Sequence, residues 1–127
     1  MRLLKYSGVR GWPREVGLGQ TVGGKMDLDQ ATSMAARVGA LYCQRFGIVP
    51  DEAFFLGKLA EELGEVSAAT LKLTGRSRGG DAPMSEREAN LREEIADLFG
   101  FLLMFAAHRG IDLGAAFEDK WGRHLQE

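Results

Sequence analysis

Apolar residues recur every three to four positions from residue 31 onward, and three glycine-marked breaks divide that rhythm into four segments. Ala31, Met34, Ala35, Val38, Leu41 and Tyr42 mark a first amphipathic helix, capped at Asp27 or Asp29 and ending near Gly47. Pro50-Asp51 opens a second, which runs to about Thr74 with Phe55, Leu56, Leu59, Leu63, Val66 and Leu73 facing inward and Gly75 just past its end. A glycine-rich loop over 75–83 follows. Ser85 with Glu88 three residues on spells a capping box for a third helix reaching about Arg109. Gly110 breaks that helix, Asp112 caps the next, and 113–125 forms a short fourth helix in which Phe117 and Trp121 pair at i and i+4. No segment alternates with a strand's period of two, so the predicted class is all-α, a four-helix bundle over residues 27–127.

Residues 1–26 fit neither period. Their six glycines, with Trp12 and Pro13, predict an irregular arm separate from the helical domain, and Met26 is a candidate natural start. Within the arm, Gly19 to Lys25 resembles a phosphate-binding P-loop, in which backbone amides wrap phosphates and a lysine neutralises them. The next residue is Met26 where a serine or threonine is needed for magnesium, and no α/β pattern follows, so the match is set aside.

The chain has 127 residues, enough for one core and one domain. A formal charge of −2 provides no broad basic field, which argues against nucleic acid as a partner. The most apolar run, 98–107, is too short to cross a bilayer, which argues against a membrane span, and no secretory leader is apparent. A single cysteine, Cys43, in an apolar helical pattern reads as a core thiol in a reducing, cytoplasmic setting.

The informative departure from this ordinary picture is a doubled acidic pattern. Glu61-Glu62-x-x-Glu65 lies in the second helix and Glu93-Glu94-x-x-Asp97 in the third, and each set falls within one narrow arc. The same arcs continue as apolar residues: Phe54, Ala69 and Leu73 on one helix, Phe101, Met104 and Phe105 on the other. The acids therefore interrupt buried stripes. Like charges about 6 Å apart repel by roughly 3 kcal/mol at an effective dielectric near 20, and desolvation adds to that. A bound cation resolves the conflict. Gly57, Gly64 and Gly100 sit in the same helices at about 1 kcal/mol each relative to alanine, for which either close approach beside the acids or tight helix packing would compensate.

An oxygen-only donor set suits hard cations, Mg²⁺ or Mn²⁺, rather than zinc, and the absence of Glu-x-x-His argues against a di-iron bundle. His108 and His124 lie near helix ends, where a dipole or surface role is expected. Such an ion held by carboxylates leaves room for water and substrate phosphates, which points to phosphate-ester chemistry. Lys58, one turn before Glu61 and Glu62, and Lys120 and Arg123 on the last helix are candidate phosphate-binding cations; plain surface charge is the alternative for each. For Arg76 and Arg78 in the loop, a solubilising role is the expectation.

Lys58-Leu-Ala-Glu61-Glu62-Leu-Gly-Glu65, then Leu91-Arg-Glu93-Glu94-Ile-Ala-Asp97, then Gly110-Ile-Asp-Leu and Lys120-x-x-Arg123, resembles the MazG-like all-α nucleotide pyrophosphohydrolases over roughly residues 29–125. The resemblance implies a four-helix MazG-like bundle and Mg²⁺-dependent cleavage of a nucleoside triphosphate between the α and β phosphates, yielding a monophosphate and pyrophosphate in nucleotide-pool house-cleaning. By position it implies Glu62, Glu65, Glu94 and Asp97 as metal ligands, Glu61 as the group that orients or deprotonates water, and Lys120 and Arg123 on phosphates. It also implies a homodimer or homotetramer. The arm over 1–26 has no counterpart in that pattern. The competing expectation is a non-enzymatic helical oligomerisation or regulatory module that keeps the acids as a structural metal site.

Overall fold

A computed structural model describes residues 25–126. The chain is all-α: α1 spans Leu28–Phe46, α2 Glu52–Leu73, α3 Met84–His108 and α4 Leu113–Trp121, followed by a 3-10 turn over Gly122–Leu125. No strand occurs among the described residues. The arm expected over 1–26, with its P-loop-like stretch, lies outside the described residues except for Lys25 and Met26.

The helix starts are set by acidic caps. Asp27, not Asp29, caps α1: its carboxylate accepts from the Gln30 amide at 2.8 Å while the Gln30 side chain accepts from the Asp27 amide at 2.9 Å. Asp51 and Asp112 cap α2 and α4 by accepting from Phe54 N and Ala115 N. Gly47, Gly75 and Gly110 all adopt positive φ just past the ends of α1, α2 and α3, a conformation that a Cβ would disfavour. The α3 start differs from expectation. It begins at Met84 with Pro83 as N-cap and no side-chain cap, so Ser85 and Glu88 already lie inside the helix and form no box. Pro83 has no amide to satisfy, and its carbonyl accepts from Glu86 and Arg87.

α2 and α3 form an antiparallel hairpin, as the partners along it show. Arg109 pairs with Glu52 at 3.0 Å, and the Phe55 ring stacks on Phe105 with centroids 5.5 Å apart. At the other end Arg87 reaches back to the last carbonyls of α2. The core lies between these ends: Phe55, Phe101 and Met104 are buried, with Ala35, Phe54, Leu59 and Phe105 packed on them. α1 crosses α3 at Gly39, where a Cβ would collide with the Met104 side chain. Cys43 is buried on the inner side of α1, as expected of a core thiol, and burial raises its pKa.

Two expectations about packing fail. Leu56 and Leu63, assigned inward, are 60% and 56% exposed, because Phe55, Lys58, Glu62 and Ala69 occupy the face that α3 covers. Gly57, Gly64 and Gly100 have nothing within 4 Å of a Cβ built on them, so no close helix packing occurs there among the described residues. α4 ends at Trp121, four residues short of Leu125, and its axis, with the 3-10 turn, is bent 101° from that of α3. No single described helix is long and apolar enough to cross a membrane.

Arg87 fastens the hairpin's loop end. Its Nε donates to Ala82 O at 2.7 Å, and one terminal nitrogen donates to Leu73 O at 2.9 Å and to Lys72 O at 3.2 Å. A single charge thus satisfies Leu73 O at the end of α2 and shares Lys72 O with the Gly75 amide. Arg87→Ala is expected to lower the unfolding free energy by about 2 kcal/mol, read from urea denaturation; an unchanged midpoint would show that the loop closes without it.

Candidate metal centre

The antiparallel hairpin brings the two acidic patterns to the same level. Glu62 on α2 and Glu94 and Asp97 on α3 each contribute one carboxylate oxygen to a group whose members lie within 4.8 Å of one another. Glu62 and Glu94 are fully buried and Asp97 is 7% exposed. No histidine or cysteine belongs to the group. Both Glu62 oxygens lack a hydrogen-bond partner among the described residues.

Such an arrangement is unstable by itself. Each pair of unit charges at this separation repels by about 3 kcal/mol at an effective dielectric near 20, before desolvation. Burial chiefly, and then the Asp97 charge, push the Glu62 carboxyl up to about 7, against the pull of Lys58. Among the described residues, Lys58 is a cation built into the neighbourhood. It is 8% exposed, its Nζ sits 3.0 Å from Glu61 Oε2, and the Phe101 ring centroid lies 5.2 Å below it. Lys58 therefore lies buried against Glu61 rather than standing open to a phosphate.

The remaining predicted residues divide by depth. Glu61 and Glu65 are half-buried beside the group and Glu93 is exposed at its rim. Glu65 lies one helical turn beyond Glu62, and its oxygens fall outside the set that approaches within 4.8 Å. Lys120 and Arg123 are exposed on α4 and the following 3-10 turn, so α2 and α3 alone do not bring them to the acids. A separate apolar recess of about 280 Å³ opens between α1 and the end of α3, lined by Ala36, Gly39, Cys43, Phe55, Met104 and His108 among others. It contains no carboxylate. Sequence reasoning missed Phe101 as the floor beneath Lys58, for which the only signal was its position four residues after Asp97 on the acidic arc.

The donor set fits a hard divalent cation. Oxygen ligands at 2.0–2.6 Å from an ion stand up to about 4–5 Å apart across it, which is the span of this group. All three donors are carboxylates, the ligand type that Mg²⁺, Mn²⁺ and Ca²⁺ share. Unpartnered buried oxygens on Glu62 are what a cation would satisfy. Comparison with known proteins finds no matching family, no curated relative and no similar solved structure.

The raised Glu62 value gives a signed expectation. A carboxyl that titrates near 7 when folded and near 4.5 when unfolded holds its proton more tightly in the folded state, so metal-free stability falls as pH rises from about 4.5 to about 7. The loss attributable to Glu62 is about 3 kcal/mol at 1.4 kcal/mol per unit. In chelator, Glu62→Gln should flatten that part of the stability profile and raise the melting temperature at pH 8. A wild-type profile that is flat or rising over this range would contradict the buried like-charge group.

Proposed function

We propose that the chain is a Mg²⁺-dependent nucleoside triphosphate pyrophosphohydrolase with a MazG-like helical domain. The single observation that carries this reading is the buried group of Glu62, Glu94 and Asp97 on two antiparallel helices, with Glu61 held beside it by Lys58. These are positions at which the sequence resembles that family.

In this reading Glu62, Glu94 and Asp97, joined by Glu65 from the next turn of α2, hold the ion. When bound, Mg²⁺ supplies charge neutralisation for the substrate's phosphates and lowers the pKa of coordinated water. Glu61 accepts a proton from the attacking water or orients it; its carboxylate is pointed by the 3.0 Å contact with Lys58. Lys58, itself fixed over Phe101, is a positioning residue for Glu61 rather than a phosphate ligand. Lys120 and Arg123 neutralise the departing pyrophosphate. Cleavage between the α and β phosphates leaves a monophosphate, a reaction suited to house-cleaning of the nucleotide pool in the cytoplasm.

The protomer works as a homodimer or homotetramer. Leu56 and Leu63 on α2 and Ile95, Phe99 and Leu102 on α3 are exposed at 42–60%, a concentration of apolar surface that favours association. A non-enzymatic module with a structural ion would use the same surface, and turnover separates the two readings.

Wild-type protein with Mg²⁺ and a panel of nucleoside triphosphates is expected to release pyrophosphate and monophosphate, identified by phosphorus NMR. Glu62→Gln and Asp97→Asn should each lower kcat by about 10²-fold or more, and Lys58→Met should lower kcat and shift its pH profile with little effect on KM. Release of orthophosphate alone, or none from any nucleotide while the folded protein still binds Mg²⁺, would overturn the assignment in favour of the module.

A further inference from the structure

Four charged side chains crowd one side of α2. Measured from Glu62 at about 100° per residue, Lys58 lies about 40°, Glu65 about 60° and Glu61 about 100° round the helix, all in the same sense. Glu61 is therefore a near neighbour of Glu65 on that arc and has an equally long side chain, so its place in the sequence qualifies it as one more ligand for an ion at the acidic group. The structure shows it held elsewhere. Glu61 does not belong to the group that Glu62 forms with Glu94 and Asp97, and its Oε2 lies 3.0 Å from Lys58 Nζ.

The lysine is fixed in turn. Lys58 is buried, and its ammonium sits 5.2 Å from the centroid of Phe101, a fully buried ring that meets Phe54 edge-on with centroids 6.4 Å apart. Burying an ammonium costs hydration, which the ring face and the Glu61 carboxylate offset. The number of carboxylates that reach an ion then decides which ion fits. Ca²⁺ accepts six to eight oxygens in a flexible arrangement, whereas Mg²⁺ demands a near-octahedral shell and keeps several of its waters. A carboxylate held back from the ion therefore favours the smaller cation, and a carboxylate added to it favours the larger one.

We propose that Lys58 sets the cation selectivity of the acidic centre by withholding Glu61 from the ion, which leaves coordination positions to water and favours Mg²⁺ or Mn²⁺ over Ca²⁺. Lys58 is thus a positioning residue whose effect on the metal passes through Glu61. The use of Glu61 on water rests on the pyrophosphohydrolase reading; its exclusion from the ion rests only on the metal centre.

The test is displacement of bound Mn²⁺ by Ca²⁺ and, separately, by Mg²⁺ from the full chain at pH 8, followed by electron paramagnetic resonance and expressed as the ratio of the two competing affinities. Lys58→Met is expected to move that ratio toward Ca²⁺ by about tenfold, because Glu61 is released to join the ion. Glu61→Gln alone should leave the ratio within about twofold of wild type, and Lys58→Met/Glu61→Gln should return it there, because the carboxylate that Lys58 restrains is gone. Lys58→Gln repeats the measurement if methionine disturbs the core. A purely structural lysine would weaken both ions alike and leave the ratio unmoved, and a long-range charge effect would persist in the double variant; either result overturns the proposal. A changed ratio in Glu61→Gln alone also overturns it, since Glu61 would then already be a ligand, as does a wild type that binds none of the three ions. A wild type that hydrolyses no nucleotide while the ratio shifts as expected would sink the enzyme reading and leave the selectivity role standing. An active wild type whose ratio is unmoved by the Lys58 variants would do the reverse.

Discussion

Three carboxylates pressed together in the protein interior are the constraint around which this chain is organised. Glu62, Glu94 and Asp97 face one another inside the α2–α3 hairpin at positions that would otherwise continue an apolar stripe. Their mutual repulsion and lost hydration oppose folding, and one nearby lysine does not cancel three charges. The arrangement is sustained by protonation of Glu62 near neutrality or by a cation. A divalent ion bound there would turn the liability into a stabilising crosslink between two helices and would link ion binding to closure of the hairpin.

The rest of the hairpin holds that site at a fixed level. Aromatic packing of Phe55 on Phe105 and burial of Phe101 form the core on the α1 side of the hairpin, with Phe101 under Lys58. Arg87 closes the loop end by binding the last carbonyls of α2, and Arg109 pairs with Glu52 at the opposite end. Register along the hairpin is thereby fixed from both sides, and sliding by one turn would separate Glu62 from Asp97. Lys58 joins the two functions, resting on Phe101 as part of the core and holding Glu61 as part of the site.

Much of this was legible from spacing. Helix boundaries followed from Asp27, Asp51 and Asp112 before apolar rhythms and from Gly47, Gly75 and Gly110 after them, because caps and positive-φ positions are local chemistry. The acids were legible for a similar reason: carboxylates at i and i+3 in an otherwise apolar arc stand out without tertiary information. Depth was not legible. α2 is apolar on more than one face, and the sequence does not distinguish the face that meets α3, with Phe55 and Ala69, from the outer face with Leu56 and Leu63. Pro83 displaced the expected Ser85 cap, since a helix can begin on a proline carbonyl without any side-chain signal. The reach of Arg87 across the loop and the 101° turn of α4 depend on loop geometry that composition does not encode.

The claim that the buried acids form a cation site is tested most directly by Mn²⁺ titration followed by electron paramagnetic resonance, which counts free ion as binding broadens its signal. The account predicts saturable binding by the wild-type chain, tightening as pH rises through 7, competed by Mg²⁺ and lost in both Glu94→Gln and Asp97→Asn. Mn²⁺ that stays free at millimolar concentration at pH 8, or binding that persists unchanged in those variants, would contradict it.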